Sequence, residues 1–106
     1  MKLLTAKILK DFEKTGSQAD VEDPKVIVKF FGGGVPTWLA TEYDSETEMF
    51  YGYVSLFNDP SANEWGSFSL AELKELKFPP FGLPIERDMY LGDVTVSEYK
   101  EKYGMY

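Results

Sequence analysis

The chain contains no histidine and no cysteine, and Arg87 is its only arginine. Each absence removes chemistry. Without histidine there is no imidazole general base and no Ser-His-Asp triad, and without cysteine there is no Cys-His dyad. Zinc sites built from Cys and His ligands are excluded as well. No run approaches the ~18 consecutive apolar residues of a membrane-spanning helix. The first ten residues are interrupted by Lys2, Lys7 and Lys10 and lack the apolar core of a secretion signal. Zero cysteines fit a reducing compartment. The expected location is cytoplasmic, with no membrane partner.

What is present is acidic and aromatic. Eleven basic residues face eighteen acidic ones, for a net charge of −7. Proteins that grip nucleic acid by neutralising phosphates need clustered Lys and Arg, so direct nucleic-acid binding is not expected. A basic protein partner fits this charge, and so does imitation of a nucleic acid. At 106 residues the chain is expected to be a single domain. A hydrophobic content of 43%, including 16% aromatics, supplies a core without a disulfide or metal staple.

Residues 4–14 read as a helix, with Thr5 as N-cap, a Leu4–Leu9 staple, an apolar stripe of Ile8, Leu9 and Phe12, and Gly16 as the stop. β-rich segments follow at 25–31, 37–43, 49–57 and 64–68, separated by turn signals. Ser69-Leu70-Ala71-Glu72 opens a short helix to about Lys77. Residues 85–91 read as an edge strand and 97–103 as a last helical turn. The fold class is α+β: an antiparallel sheet of about four strands, an N-terminal helix and one or two short helices.

Pairing Phe30 with Trp38 and Ala40 with Gly52 would put Val26, Val28, Phe30, Trp38, Ala40, Glu42, Phe50, Val54 and Leu56 on one face. Ala40 and Gly52 would leave room there for a helix. The other face would carry Lys25, Ile27, Lys29, Thr37, Leu39, Thr41, Tyr51, Tyr53 and Ser55.

Two motifs fail on inspection. Gly32-Gly33-Gly34 precedes Val-Pro-Thr-Trp, a strand, whereas a phosphate loop opens a helix, so it reads as a plain turn. The stretch from Asp59 has the alternating oxygen ligands of a calcium loop. It also has Glu64 where glycine is required and Leu70 where glutamate is required.

Four constellations remain. Arg87 lies between Glu86 and Asp88, as a planar donor for a ligand or as an ion-pair anchor with Glu42 or Glu64. Glu42, Glu64, Glu86 and Asp88, with Lys29 nearby, could act in acid/base chemistry or hold a cation if they converge; otherwise they are solvated surface charge. Glu42, Asp44, Glu46 and Glu48 alternate like a strand face and could imitate a phosphate row, or simply form a solvated turn. Tyr51, Tyr53 and Trp65 are residue types favoured at interfaces, although most aromatics in so small a chain must be core.

The segments Lys25-Val-Ile-Val-Lys-Phe-Phe31, Thr37-Trp-Leu-Ala-Thr-Glu-Tyr-Asp44, Gly66-Ser-Phe-Ser-Leu-Ala-Glu-Leu73 and Gly82-Leu-Pro-Ile-Glu-Arg-Asp-Met-Tyr90 together resemble a family of small bacterial proteins. That family is catalogued only as domain of unknown function 2958. The resemblance implies a bacterial, often plasmid- or mobile-element-associated origin. It implies no established activity, cofactor or catalytic residue.

The expected function is therefore a non-enzymatic accessory or interaction domain with a protein partner and no cofactor or metal. Its expected binding residues are Lys29, Tyr51, Tyr53, Trp65 and Arg87. The alternatives are a nucleic-acid-mimicking inhibitor of a DNA-binding protein and a carboxylate-dependent, metal-assisted hydrolase.

Overall fold

The computed structural model describes residues 2–57 and 59–105. Helix α1 (Ala6–Thr15) starts where the Thr5 side chain accepts a hydrogen bond from the Ile8 N–H, 3.2 Å. It stops at Gly16, whose positive φ of 68° ends the helical repeat. Phe12 is buried and Ile8 packs beside it, whereas Leu9 is exposed and Leu4 packs against the core. The expected Leu4–Leu9 staple therefore gives way to direct packing of Leu4 on the sheet side.

Strands β1 (Val28–Phe31), β2 (Thr37–Asp44), β3 (Met49–Ser55) and β4 (Glu64–Ser69) form an antiparallel meander. Helix α2 (Leu70–Glu75) follows directly, with Ser69 accepting from the Glu72 N–H. A two-residue hairpin, β5 (Lys77–Phe78) with β6 (Leu83–Pro84), leads to β7 (Glu86–Arg87), and α3 (Val96–Tyr103) closes the chain. The main sheet has five strands in the order β4-β3-β2-β1-β7. The fold is α+β, and the edge strand expected at 85–91 is present as the two-residue β7, the fifth strand of the main sheet.

Phe30 pairs with Trp38 and Ala40 with Gly52, as expected from the sequence. Two irregularities then change which face each residue occupies. Beyond Ala40 the register slips, so Glu42 opposes Tyr51 and Tyr43 opposes Phe50. Thr41 is the additional residue of a β-bulge. On the other side, the Ile27 N–H bonds to the Ala40 carbonyl, 2.9 Å, although the ladder pairs Ala40 with Val28.

Strict alternation therefore holds only between these two points, because one extra residue turns every later side chain over. Tyr43, not Glu42, joins the core, with its ring 5.7 Å from Phe12 and 4.7 Å from Phe50. Val26 joins Leu39 and Tyr53 on the opposite face. Leu56 lies past the end of β3 and is exposed. A Cβ at Gly52 would sit 1.9 Å from the Leu39 carbonyl oxygen, so this glycine serves close strand approach and not the approach of a helix.

The backbone groups disturbed by the bulge are satisfied by one side chain. Gln18 donates to the carbonyls of Thr41 (2.8 Å) and Lys25 (2.9 Å) and accepts from the Lys25 N–H (2.7 Å). It is buried although it comes from the polar loop after α1. Its amide stands in for a strand neighbour that the bulge displaces.

The sheet is covered on both faces. Leu3, Phe12, Leu70 and Leu73 pack over Val28, Phe30, Trp38, Ala40, Phe50 and Phe68. Val96 and Tyr99 of α3 pack over Val26, Leu39 and Tyr53. The face that carries Lys29, Leu39, Tyr51 and Tyr53 is thus in part a second core, because α3 folds back across it.

Candidate interaction surface

The residues expected to bind a partner divide between the two edges of the sheet. At the β1 edge, residues 86–96 run antiparallel to β1 and its approach. Glu86 and Arg87 pair with Phe31 and Phe30, and the Asp88 N–H bonds to the Lys29 carbonyl. After an excursion through residues 89–93, the Val26 N–H bonds to the Val94 carbonyl and the Val96 N–H to that of Pro24. The carboxylate of Asp23 closes the arrangement, accepting from the Thr95 hydroxyl (2.7 Å) and the Ser97 N–H (3.0 Å) at the start of α3. Burial raises the Asp23 carboxyl's pKa. The bonds from the Ser97 N–H and from the Thr95 and Ser97 side chains outweigh this and hold it below the usual value of 3.8.

Lys29 and Arg87 are tied into that closure. The Lys29 ammonium lies 3.6 Å from the Asp88 carboxylate and 5.1–5.4 Å from the rings of Tyr99, Phe31 and Tyr103. Its side chain is only 16% exposed. Arg87 donates to the Lys2 carbonyl, tying β7 to the segment that precedes α1. Lys29 thus fastens Asp88 and α3 to β1, and its aromatic cage is filled by the protein's own cation. A cleft of about 750 Å³ beside this segment carries mixed charges, among them the ion pairs Lys7–Asp11 (3.0 Å) and Lys25–Asp93 (3.1 Å).

The carboxylates do not converge. Glu64 lies on β4 and Glu86 on β7, the opposite edges of the sheet. Four strand spacings of ~4.8 Å put these edges about 19 Å apart. Glu42 stands opposite Tyr51, and Asp88 pairs with Lys29. Among the described residues no group of three or more Asp or Glu could hold a metal ion. The acidic row ends early too, since Glu46 and Glu48 lie in the turn after β2 and Asp44 accepts from the Glu46 N–H. The stretch from Asp59 is a short 3-10 turn, Pro60–Ala62, with Asp59 bonded to Ser61. Gly32-Gly33-Gly34 is a hairpin turn on which Phe78 seats. A Cβ at Gly32 or Gly33 would fall 2.5 Å from that ring.

The β4 edge differs. No described segment pairs with its outer side. On the α3 face, Tyr51 and Trp65 are each 41% exposed, and their rings stack at 6.1 Å and 17°. Tyr53, expected to share this patch, is buried. Its ring is covered by the Lys100 ammonium at 4.4 Å and met edge-on by Trp65 at 5.4 Å.

On the α2 face an apolar groove of about 400 Å³ opens beside the strand. Its floor is Trp38, Val54 and Gly66, and its wall is Leu73, Leu76 and Phe78. A Cβ at Gly66 would meet nothing within 4 Å, so the missing side chain leaves this space open. Among the described residues, Glu64 and Glu72 are the only charged ones lining it. Sequence reasoning did not find this groove. Its one local signal was a glycine in the middle of a strand.

The fold defines a small α+β unit in which β1 is covered by the two-residue β7 and its continuation, while the six-residue β4 has no strand on its outer side among the described residues. Residues 2–104 match the family described as Protein of unknown function (DUF2958), and the chain belongs to that family. No curated protein and no solved structure shows a significant match to it.

Proposed function

We propose that the domain is a non-enzymatic interaction module that receives an extended segment of a partner protein as an added strand along β4. One observation carries this reading: β4 is a six-residue edge strand with no described partner on its outer side. Such an edge offers a row of backbone donors and acceptors that an extended chain satisfies. Tyr51 and Trp65 supply flat aromatic area beside it on one face, as interface anchors do. Lys29, Arg87 and Tyr53 serve the integrity of the domain in this reading, and Tyr51 and Trp65 remain as contact residues.

The test is backbone hydrogen exchange of the domain alone and bound to a partner purified from the native host. Slowed exchange at the β4 amides on binding is the expected result. Protection confined to the β7 and α3 side would overturn the reading.

A further inference from the structure

We infer that the open edge selects segments carrying an apolar side chain and, two residues away, a lysine or arginine, the first filling the groove over Gly66 and the second meeting Glu64. The inference rests on the strand-addition reading and names the chemistry of the added strand. Glu64 and Gly66 are two residues apart on β4 and share the α2 face, opposite Val54 and Gly52 on β3. Side chains two apart on a strand point the same way and stand about 6–7 Å from each other. A strand laid against β4 therefore places residues of the same spacing beside Glu64 and Gly66.

The two positions ask for different chemistry. Beside Gly66 the space is walled by Leu73, Leu76 and Phe78, which suits an aliphatic side chain. Beside Glu64 stands an exposed carboxylate, and Glu72 from α2 adds a second at the rim. Among the described residues no basic one lines the groove. An acidic segment would bring like charges together here, and the chain's net charge of −7 opposes its approach as well. The spacing fits a basic-x-apolar or apolar-x-basic segment, according to the direction in which the strand is added.

Two end-capped peptides test this on the intact, isotopically labelled protein at millimolar concentration: acetyl-Thr-Lys-Thr-Leu-Thr-amide and the same peptide with Glu in place of Lys. The Lys peptide should shift the amide resonances from Trp65 to Phe68 and the methyl resonances of Leu73 and Leu76. It should bind about two- to fivefold more tightly than the Glu peptide, the range of an exposed ion pair, and lose that preference in Glu64→Gln and at high salt. Gly66→Val should abolish the methyl shifts by filling the floor. Equal binding of both peptides along β4, unaffected by Glu64→Gln and Gly66→Val, would overturn the selectivity and leave strand addition standing. Absence of any β4 shift with either peptide would overturn strand addition itself and this inference with it.

Discussion

Along β1 the outer side is covered by residues 86–96, which hydrogen-bond to it and its approach and are pinned by Lys29 and Asp23. Along β4 the outer side carries nothing comparable among the described residues. It has an exposed aromatic pair on one face and an open groove on the other. Both edges start with the same unsatisfied backbone row, which in water is a liability for uncontrolled pairing. The chain spends its C-terminal quarter covering one of them. The difference teaches that Lys29 and Asp23, conspicuous charges in the sequence, are fasteners, and that the surface proposed for recognition lies where the sequence is plainer.

The comparison breaks most visibly at Tyr99. This residue of α3 is 3% exposed where the helix packs on the sheet, and Tyr99→Ala should cost about 3–5 kcal/mol by urea denaturation. Trp65→Ala, at the open edge, should cost under about 1 kcal/mol in the same assay. Similar losses at the two sites would erase the distinction between a covered and an open edge.

A smaller effect is expected at Gln18→Ala, which leaves the buried Thr41 carbonyl without the amide that bonds to it. The expected loss is about 1–3 kcal/mol. Exchange of the Lys25 amide, which donates to Gln18, should quicken in the same variant.

Asp23→Asn keeps the shape of the cap and removes its charge, and should cost about 1 kcal/mol at neutral pH. The folded-state pKa of Asp23 is depressed, so its contribution is complete above the unfolded value of about 3.9 and is lost as pH falls through the lower folded value. The variant should therefore lose less stability than the parent on acidification below about pH 4, and acid-limb denaturation curves would show it. A parallel acid limb would mean that Asp23 does not carry the closure of α3.

The smallest change is Gly66→Val, expected within about 0.5 kcal/mol of the parent because its Cβ meets nothing. A large loss there would mean that the groove is closed in solution.

Local signals in the chain were sufficient for the caps and stops: Thr5, Gly16 and Ser69 act as their residue types suggest. They were sufficient for the hairpin registers too, since turn length and apolar matching fix Phe30 against Trp38 and Ala40 against Gly52. They failed at Thr41 and Ile27, because a bulge leaves no mark in an apolar pattern. Its partner, Gln18, sits 23 residues from Thr41. They failed again at Leu39 and Tyr53, whose burial depends on a helix more than forty residues further along the chain.

By itself the sequence determined the acidic charge, the α+β class and the absence of imidazole and thiol side chains, because composition and short-range pattern are properties of neighbouring residues. Only the tertiary structure decided which carboxylates meet, which tyrosines are buried and which sheet edge is left open. Those outcomes depend on a C-terminal segment returning to β1, and contacts between residues so far apart leave no local pattern in the chain.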